Sequence, residues 1–240
     1  MNGIHHRMMA EAIALARSMQ GKVWPNPAVG CVIAHGNEIV GCGHTQFGGR
    51  PHAERVALDD AGDLALGATL YVTLEPCCHW GKTPPCADAI IEAGVKAVFA
   101  SIQDPDPRVN GGGFQKLRDA GVDVHVGLGA AEAQEIMAGF FHRVRSGYPL
   151  VTVGSHEKIP AAIPDGFDAR IVSGPDRAWL LSRGEGSDVL AEALHSVEEP
   201  GVLLQALGQK GLTSVYVASG DQLARAILPY TSIQPRKYAG

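Results

Sequence analysis

The chain has 240 residues, 45% of them apolar and 19% charged, which suits one large domain or one full domain with a smaller partner and argues against disorder. Twenty-five acidic residues against 20 basic ones leave a net charge of −5. With no block of Lys and Arg in view, a nucleic-acid partner is not expected, because neutralising phosphates needs a basic surface. A membrane partner is not expected either, since no apolar run approaches the roughly 20 residues that cross a bilayer.

Residues Ile4, Met8, Met9, Ala12, Ile13, Leu15 and Ala16 recur at helical spacing and predict a first helix ending near Gly21. Glu11 and Arg17 lie inside it, so it reads as an amphipathic helix and not as a signal peptide. After a turn at Pro25-Asn26-Pro27, residues 28–34 and 38–40 read as a strand hairpin. A helix over 52–61, a buried strand over 68–74 and a short helix over 84–93 follow. Proline near the start of that short helix is harmless, because the first helical N–H has no partner to lose. A strand over 95–102, a helix over 112–120, a strand over 122–126 and one longer helix over 130–145 complete this half. Strands alternating with helices imply a sheet covered on both faces, with a parallel portion after the hairpin. Ligands of such sheets gather beyond the carboxyl ends of the strands, which is where the loops after Leu74 and Ile102 fall.

From about Ser146 the pattern changes. Prolines and glycines break the chain into short pieces until regular structure returns at 188–194, where Ser187 offers a helix N-cap. It continues at 202–207, 213–218 and 222–228. The expectation is a small second α/β unit of under about 100 residues, dependent on the first for stability.

Five cysteines, an odd number with three bunched together (Cys77, Cys78 and Cys86), suit a reducing cytoplasm and metal binding better than a disulfide framework. His52 and Glu54 form an H-x-E pair, Pro76-Cys77 follows a predicted strand, and Cys86 lies nine positions beyond Cys77. One imidazole and two thiolates are three ligands for Zn2+, which prefers four and so keeps a position open for water at a catalytic site. Glu54, two residues past the imidazole, is then the proton carrier. Zinc deaminases share H-x-E and P-C-x-x-C, with the Glu outside the ligand set. Here the second spacing is longer, with eight residues between the two cysteines. Cys78 and His79 are alternative ligands, and Cys31 and Cys42 read as core or wall residues of the hairpin.

Five stretches carry a resemblance: N-P-A-V-G-C-V-I at 26–33, G-C-G-H at 41–44, G-R-P-H-A-E at 49–54, T-L-E-P-C-C-H-W-G-K-T-P-P-C at 73–86 and D-P-D-P-R-V-N-G at 104–111. Through them, about residues 5–150 closely resemble the deaminase half of the bifunctional riboflavin-biosynthesis deaminase/reductase family. That resemblance implies a cytidine-deaminase-like α/β/α sandwich with a mixed sheet. It implies a pyrimidine nucleotide substrate, 2,5-diamino-6-ribosylamino-pyrimidinone 5′-phosphate, which loses its 2-amino group as ammonia. By position it makes His52, Cys77 and Cys86 the Zn2+ ligands and Glu54 the proton shuttle, with Asn26, His44, Lys82, Asp104 and Asp106 lining the substrate site. Asp106 stands where the family more often has Asn. The amide groups of Gly111, Gly112 and Gly113 offer a further seat for ribose or phosphate.

The family's second domain is an NADPH-dependent reductase, and here the likeness thins. A K-x-A-x-S-L-D-G segment is absent, the chain reading Gly154-Ser155-His156-Glu157-Lys158 instead. The turn at Val217-Ala218-Ser219-Gly220 reads either as a relic of a phosphate-binding turn or as a plain tight turn. The organisation expected is a deaminase domain over 1–147 and a shortened, non-catalytic reductase-like remnant over 148–240, with no nicotinamide cofactor. A separate reductase for the product and a homo-oligomer packed through the remnant are the partners that reading allows. The rivals are a zinc deaminase of another base, nucleoside or RNA, a bifunctional enzyme that keeps its reductase, and a non-catalytic zinc-stabilised binding module.

Overall fold

The computed structural model describes residues 3–81, 83–154, 162–173, 178–184, 189–194 and 199–230. The chain divides into two compact units, one of Met1–Met19 with Pro27–Met137 and the other of Gln20–Asn26 with Ala138–Gly240.

In the first unit a five-stranded sheet has the order β2-β1-β3-β4-β5. Its strands are β1 (Gly30–His35), β2 (Glu38–His44), β3 (Thr69–Val72), β4 (Ala97–Ala100) and β5 (Asp123–Val126). β1 runs antiparallel to both β2 and β3, while β3, β4 and β5 are parallel. The sheet is therefore mixed, as the alternation of elements predicts. Helix α1 (Gly3–Ser18) covers one face, burying Met8, Met9 and Ala12 against Val32, Ala34, Tyr71 and Phe99. Helix α5 (Ala130–Ile136) packs beside α1. The other face carries α2 (Ala53–Ala61), which packs on β1 and β2, then α3 (Cys86–Glu92) against α2, and α4 (Gly112–Asp119) against α3.

Three glycines let helices lie directly on this sheet. A Cβ on Gly30 would sit 1.9 Å from the Ala12 carbonyl oxygen of α1. On Gly41 and Gly43 it would come within 2.4 Å of the Ala57 and Ala53 carbonyl oxygens of α2. These obstacles are backbone, which cannot swing aside as a side chain can.

In the second unit the sheet order is β6-β10-β7-β8-β9, from β6 (Leu150–Gly154), β7 (Ala169–Ser173), β8 (Ala178–Arg183), β9 (Val189–Leu194) and β10 (Ser214–Ala218). β10 is parallel to β6 and β7, and the remaining pairs are antiparallel. α6 (Ala138–Ser146), α7 (Pro200–Lys210) and α8 (Gln222–Ile227) belong to this unit. Leu203, Leu204 and Leu207 of α7 bury against Val151, Ile171, Leu180 and Val215.

Three expectations need correction. The helix expected over 130–145 is two helices, α5 and α6, broken at Met137 (φ −99°, ψ 12°). The apolar rhythm runs through the break, but α5 packs on α1 whereas α6 packs on β6. The helix expected over 188–194 is strand β9, because pairing with β8 from Arg183↔Val189 to Ala178↔Leu194 outweighs the helical bias of its Leu, Ala and Glu. Ser187, the cap expected for it, and Asp188 lie outside the described residues, as do residues 155–158. Strands β7 and β8, where only irregular pieces were expected, make this sheet as wide as the first.

Gly41→Ala is expected to lower the stability of the first unit by about 2–3 kcal/mol, seen as a lower urea midpoint. An unchanged midpoint would show that α2 can retreat from the sheet.

Candidate metal centre and its surroundings

Two helix starts and one strand-end loop build the site. His52 is the N-cap of α2, with extended backbone (φ −69°, ψ 157°), and Glu54 lies in the first turn. Cys86 opens α3. Cys77 lies in the loop that leaves β3, where the Cys86 backbone N–H donates to its sulfur at 3.3 Å and the Ala87 N–H to its carbonyl oxygen at 3.1 Å. The entry to α2 is tied to the long insert by the Arg50 guanidinium, which donates to the Thr83 hydroxyl.

His52 Nδ1 lies 3.7 Å from Cys77 Sγ and 3.4 Å from Cys86 Sγ, and all three donor atoms fall within 4.8 Å of one another. Tetrahedral ligands at about 2.3 Å for sulfur and about 2.0 Å for nitrogen lie about 3.5 Å apart. The donor set therefore fits a zinc ion in both chemistry and spacing. Cys78 does not join it: its thiol faces the Arg108 carbonyl oxygen at 3.7 Å.

The donors also perturb one another. The hydrogen bond from the Cys86 thiol, with help from His52, lowers the Cys77 pKa to about 4. Burial works against charge on His52, yet the Cys77 sulfur and the Glu54 carboxyl carry its pKa above the ordinary value. Glu54 is buried, and that burial raises its pKa to about 7, partly opposed by His52. A carboxyl with that value exchanges protons readily near neutral pH. Behind it, Cys31 is fully buried with its thiol pKa pushed well up by burial, as a wall residue should be. Cys42, also expected to be a core or wall residue, is exposed instead, and its N–H donates to Asp60 at 2.9 Å.

The remaining sequence candidates are placed as follows. Asp104, in the loop after β4, is buried, and burial raises its pKa from 3.8 to about 6. Asp106 follows it, its N–H donating to Asp104 Oδ1 at 2.9 Å and its own carboxylate paired with the Arg108 guanidinium. That pairing holds the Asp106 pKa below the ordinary value. His44 ends β2, with Nδ1 3.1 Å from the Gln46 amide nitrogen. Asn26 closes a turn by donating its N–H to the Val23 carbonyl oxygen at 3.1 Å, in the segment grouped with the second unit. Lys82 lies outside the described residues.

The amides of Gly111, Gly112 and Gly113 are not a seat for ribose or phosphate. Gly112 donates to the Val109 carbonyl oxygen at 2.7 Å, and the other two donate to the Glu75 carboxylate, each at 2.9 Å. Sequence reasoning missed Glu75 in this role. Its signal was an acid at the end of an apolar strand, a place where a buried charge requires partners.

The turn after β10 is closed by Asp221, the N-cap of α8. Its carboxylate accepts from Leu223 N at 2.9 Å, from Ser173 N at 2.7 Å and from the Ser173 hydroxyl. A tight turn with a capping acid accounts for the residues of 217–220.

A sheet of this order, with the His and Cys donors at two helix starts and a buried acid beside them, defines the cytidine-deaminase-like class. The family model of the cytidine and deoxycytidylate deaminase zinc-binding region matches residues 3–102. A diaminohydroxyphosphoribosylamino-pyrimidine deaminase of Buchnera aphidicola is 49% identical over 141 residues, covering 59% of this chain and 96% of its own. The chain belongs to this family of riboflavin-biosynthesis pyrimidine deaminases. The Escherichia coli riboflavin biosynthesis protein RibD is 48% identical over 181 residues, 75% of this chain and 47% of its own, so this chain spans about half the length of such relatives. A Thermotoga maritima diaminohydroxyphosphoribosylaminopyrimidine deaminase/5-amino-6-(5-phosphoribosylamino)uracil reductase has a similar structure, with a TM-score of 0.77 and 26% identity. The similarity covers 95% of this chain and 84% of that one. Acinetobacter baumannii RibD gives a TM-score of 0.73 at 28% identity over the same shares. Among the described residues no helix is long and apolar enough to cross a membrane.

A carboxyl-carbon NMR titration is expected to place Asp104 near 6 instead of 3.8. Since the folded value is the higher, its contribution to stability is complete below pH 3.8 and is lost as pH rises through about 6. A titration at the ordinary carboxylate value would mean that water reaches this group freely.

Proposed function

We propose that the chain is a zinc-dependent deaminase that hydrolyses 2,5-diamino-6-ribosylamino-4(3H)-pyrimidinone 5′-phosphate to the pyrimidinedione nucleotide and ammonia, in riboflavin biosynthesis. The observation that carries this is the His52, Cys77 and Cys86 donor set, spaced as zinc requires, with a buried acid of pKa about 7 beside it. The RibD and pyrimidine-deaminase relatives support the choice of substrate.

In this reading His52, Cys77 and Cys86 hold the ion. When bound, zinc supplies Lewis acidity and lowers the pKa of a water toward about 7. Glu54 takes the proton of the attacking water on a carboxylate oxygen and passes it to the ring nitrogen. It then takes the remaining proton of that oxygen, now bonded to the ring carbon, and hands it to the departing amine, so that one C–O bond forms, one C–N bond breaks and the oxygen is left as the product carbonyl. Ammonia leaves and Glu54 returns to its starting charge. Asp104, largely unionised below about pH 6, accepts hydrogen bonds from the substrate's amino groups most strongly once ionised, when neither oxygen carries a proton. The family resemblance adds Asn26, His44, Lys82 and Asp106 to the residues proposed to meet the substrate. The small-molecule nucleotide is the partner, and nucleic acid is not.

The division expected from the sequence, a deaminase domain over 1–147 and a reductase-like domain without catalysis of its own over 148–240, is kept as the functional reading, although the compact units part after Met137 and group residues 20–26 and α6 with the second. The absent K-x-A-x-S-L-D-G segment supports this, as does the Asp221 carboxylate at the start of α8, where a dinucleotide's phosphates would meet a like charge. A separate reductase then consumes the product. All five cysteines are free, which supports a reducing compartment, the cytoplasm.

Glu54→Gln is expected to cut ammonia release at least about a thousandfold while bound zinc stays near one per chain. Loss of metal in that variant would show that Glu54 has been misread. Ammonia release should be measured across the riboflavin precursor, cytidine, guanine and adenosine, and turnover of the precursor alone is expected. Separately, deaminated product with NADPH should give no sustained NADPH oxidation, and steady oxidation would overturn the reading of residues 148–240.

A further inference from the structure

The Glu75 carboxylate lies where the loop leaving β3, the loop leaving β4 and the start of α4 meet. It is 3% exposed and accepts four backbone N–H groups. Oε1 takes those of Gly113 and Phe114 at 2.9 and 3.2 Å. Oε2 takes those of Asp104 and Gly111 at 3.2 and 2.9 Å.

Two features give this geometry a purpose beyond burial of an acid. Helix α4 starts without a cap of its own, because its N-cap is Gly111 (φ 92°), which has no side chain. The first amides of a helix need acceptors and favour a negative charge, and Glu75 supplies both from 36 residues earlier in the chain. Oε2 also ties together the two ends of the excursion 104–111, which carries Asp104 and Asp106. The fit leaves no slack: a Cβ on Gly113 would lie 2.0 Å from the Pro76 carbonyl oxygen. Cys77 follows Pro76, so one short stretch of backbone bears both a candidate ligand and the clamp.

We propose that Glu75 is a positioning residue that locks the loop of Asp104 and Asp106 to the loop of Cys77, and so fixes the substrate side of the site relative to the metal side. This rests on the deaminase reading above. All four partners are donors, so the group must be a full acceptor. Glutamine would turn its NH2 toward two of the four amides and leave donors facing donors.

The test is Glu75→Gln in the full chain, alone and combined with Asp104→Asn. Zinc is expected to stay near one per chain. Hydrogen exchange is expected to speed up by about tenfold or more at the amides of Asp104, Gly111, Gly113 and Phe114, and not elsewhere in the first unit. KM for the pyrimidine nucleotide is expected to rise about tenfold with kcat within about threefold. Because Glu75 acts through Asp104, the double variant should be little worse than Asp104→Asn alone. Unchanged KM, fully multiplicative losses, exchange that quickens throughout the unit, or loss of zinc would each overturn the proposal. If Glu75→Gln does not accumulate, Glu75→Asp carries the same readouts, with a smaller KM rise expected because the charge is kept and only the reach is shortened. A wild-type protein that turns over no aminopyrimidine would sink the deaminase reading, leaving the exchange pattern to judge Glu75 on its own.

Discussion

Three donor atoms from three separate parts of the chain converge because two helices begin at the same edge of one sheet. His52 precedes α2, Cys86 opens α3, and Cys77 comes off the end of β3 between them. Moving either helix start by a turn would carry a donor about 5 Å out of the cluster. The position of α2 in turn depends on Gly41 and Gly43, whose missing side chains let it rest on β2 backbone to backbone. The donor cluster is thus held by packing at positions that have no side chain.

The same edge collects buried carboxyl groups. Parallel strands β3 and β4 release their loops on one side, bringing Cys77 and Glu75 from one loop near Asp104 from the other. Burial there raises the pKa of both Glu54 and Asp104, since a low-dielectric surrounding disfavours the charged form. Asp106 escapes this because it has Arg108 as a partner. Neighbouring carboxyls thus come to differ in charge at one pH, a condition acid–base chemistry exploits.

The cluster of His52, Cys77 and Cys86 was legible because its signal is local: H-x-E at a helix start, P-C at a strand end, and a cysteine opening the next helix. The order of elements in the first unit was legible because its apolar rhythms are clean. The break at Met137 was not, since periodicity cannot reveal that one amphipathic run serves two cores. Strand β7 was hidden because Arg170 is buried within it, spoiling the alternation that marks a strand. Strand β9 was misread because Leu, Ala and Glu favour helix until a neighbouring strand offers hydrogen bonds. The glycines at 111–113 invited a phosphate-seat reading, and only the fold brings Glu75 to their amides. Locally encoded geometry survives reading from sequence, whereas partners supplied from far along the chain do not.

X-ray absorption at the zinc edge of the purified protein probes the donor set most directly. Two sulfur scatterers near about 2.3 Å, with the remaining neighbours nitrogen or oxygen near about 2.0 Å, are the expected result. A shell without sulfur, or one filled by more than two sulfurs, would contradict the assignment of His52, Cys77 and Cys86 and the hydrolytic chemistry built on it.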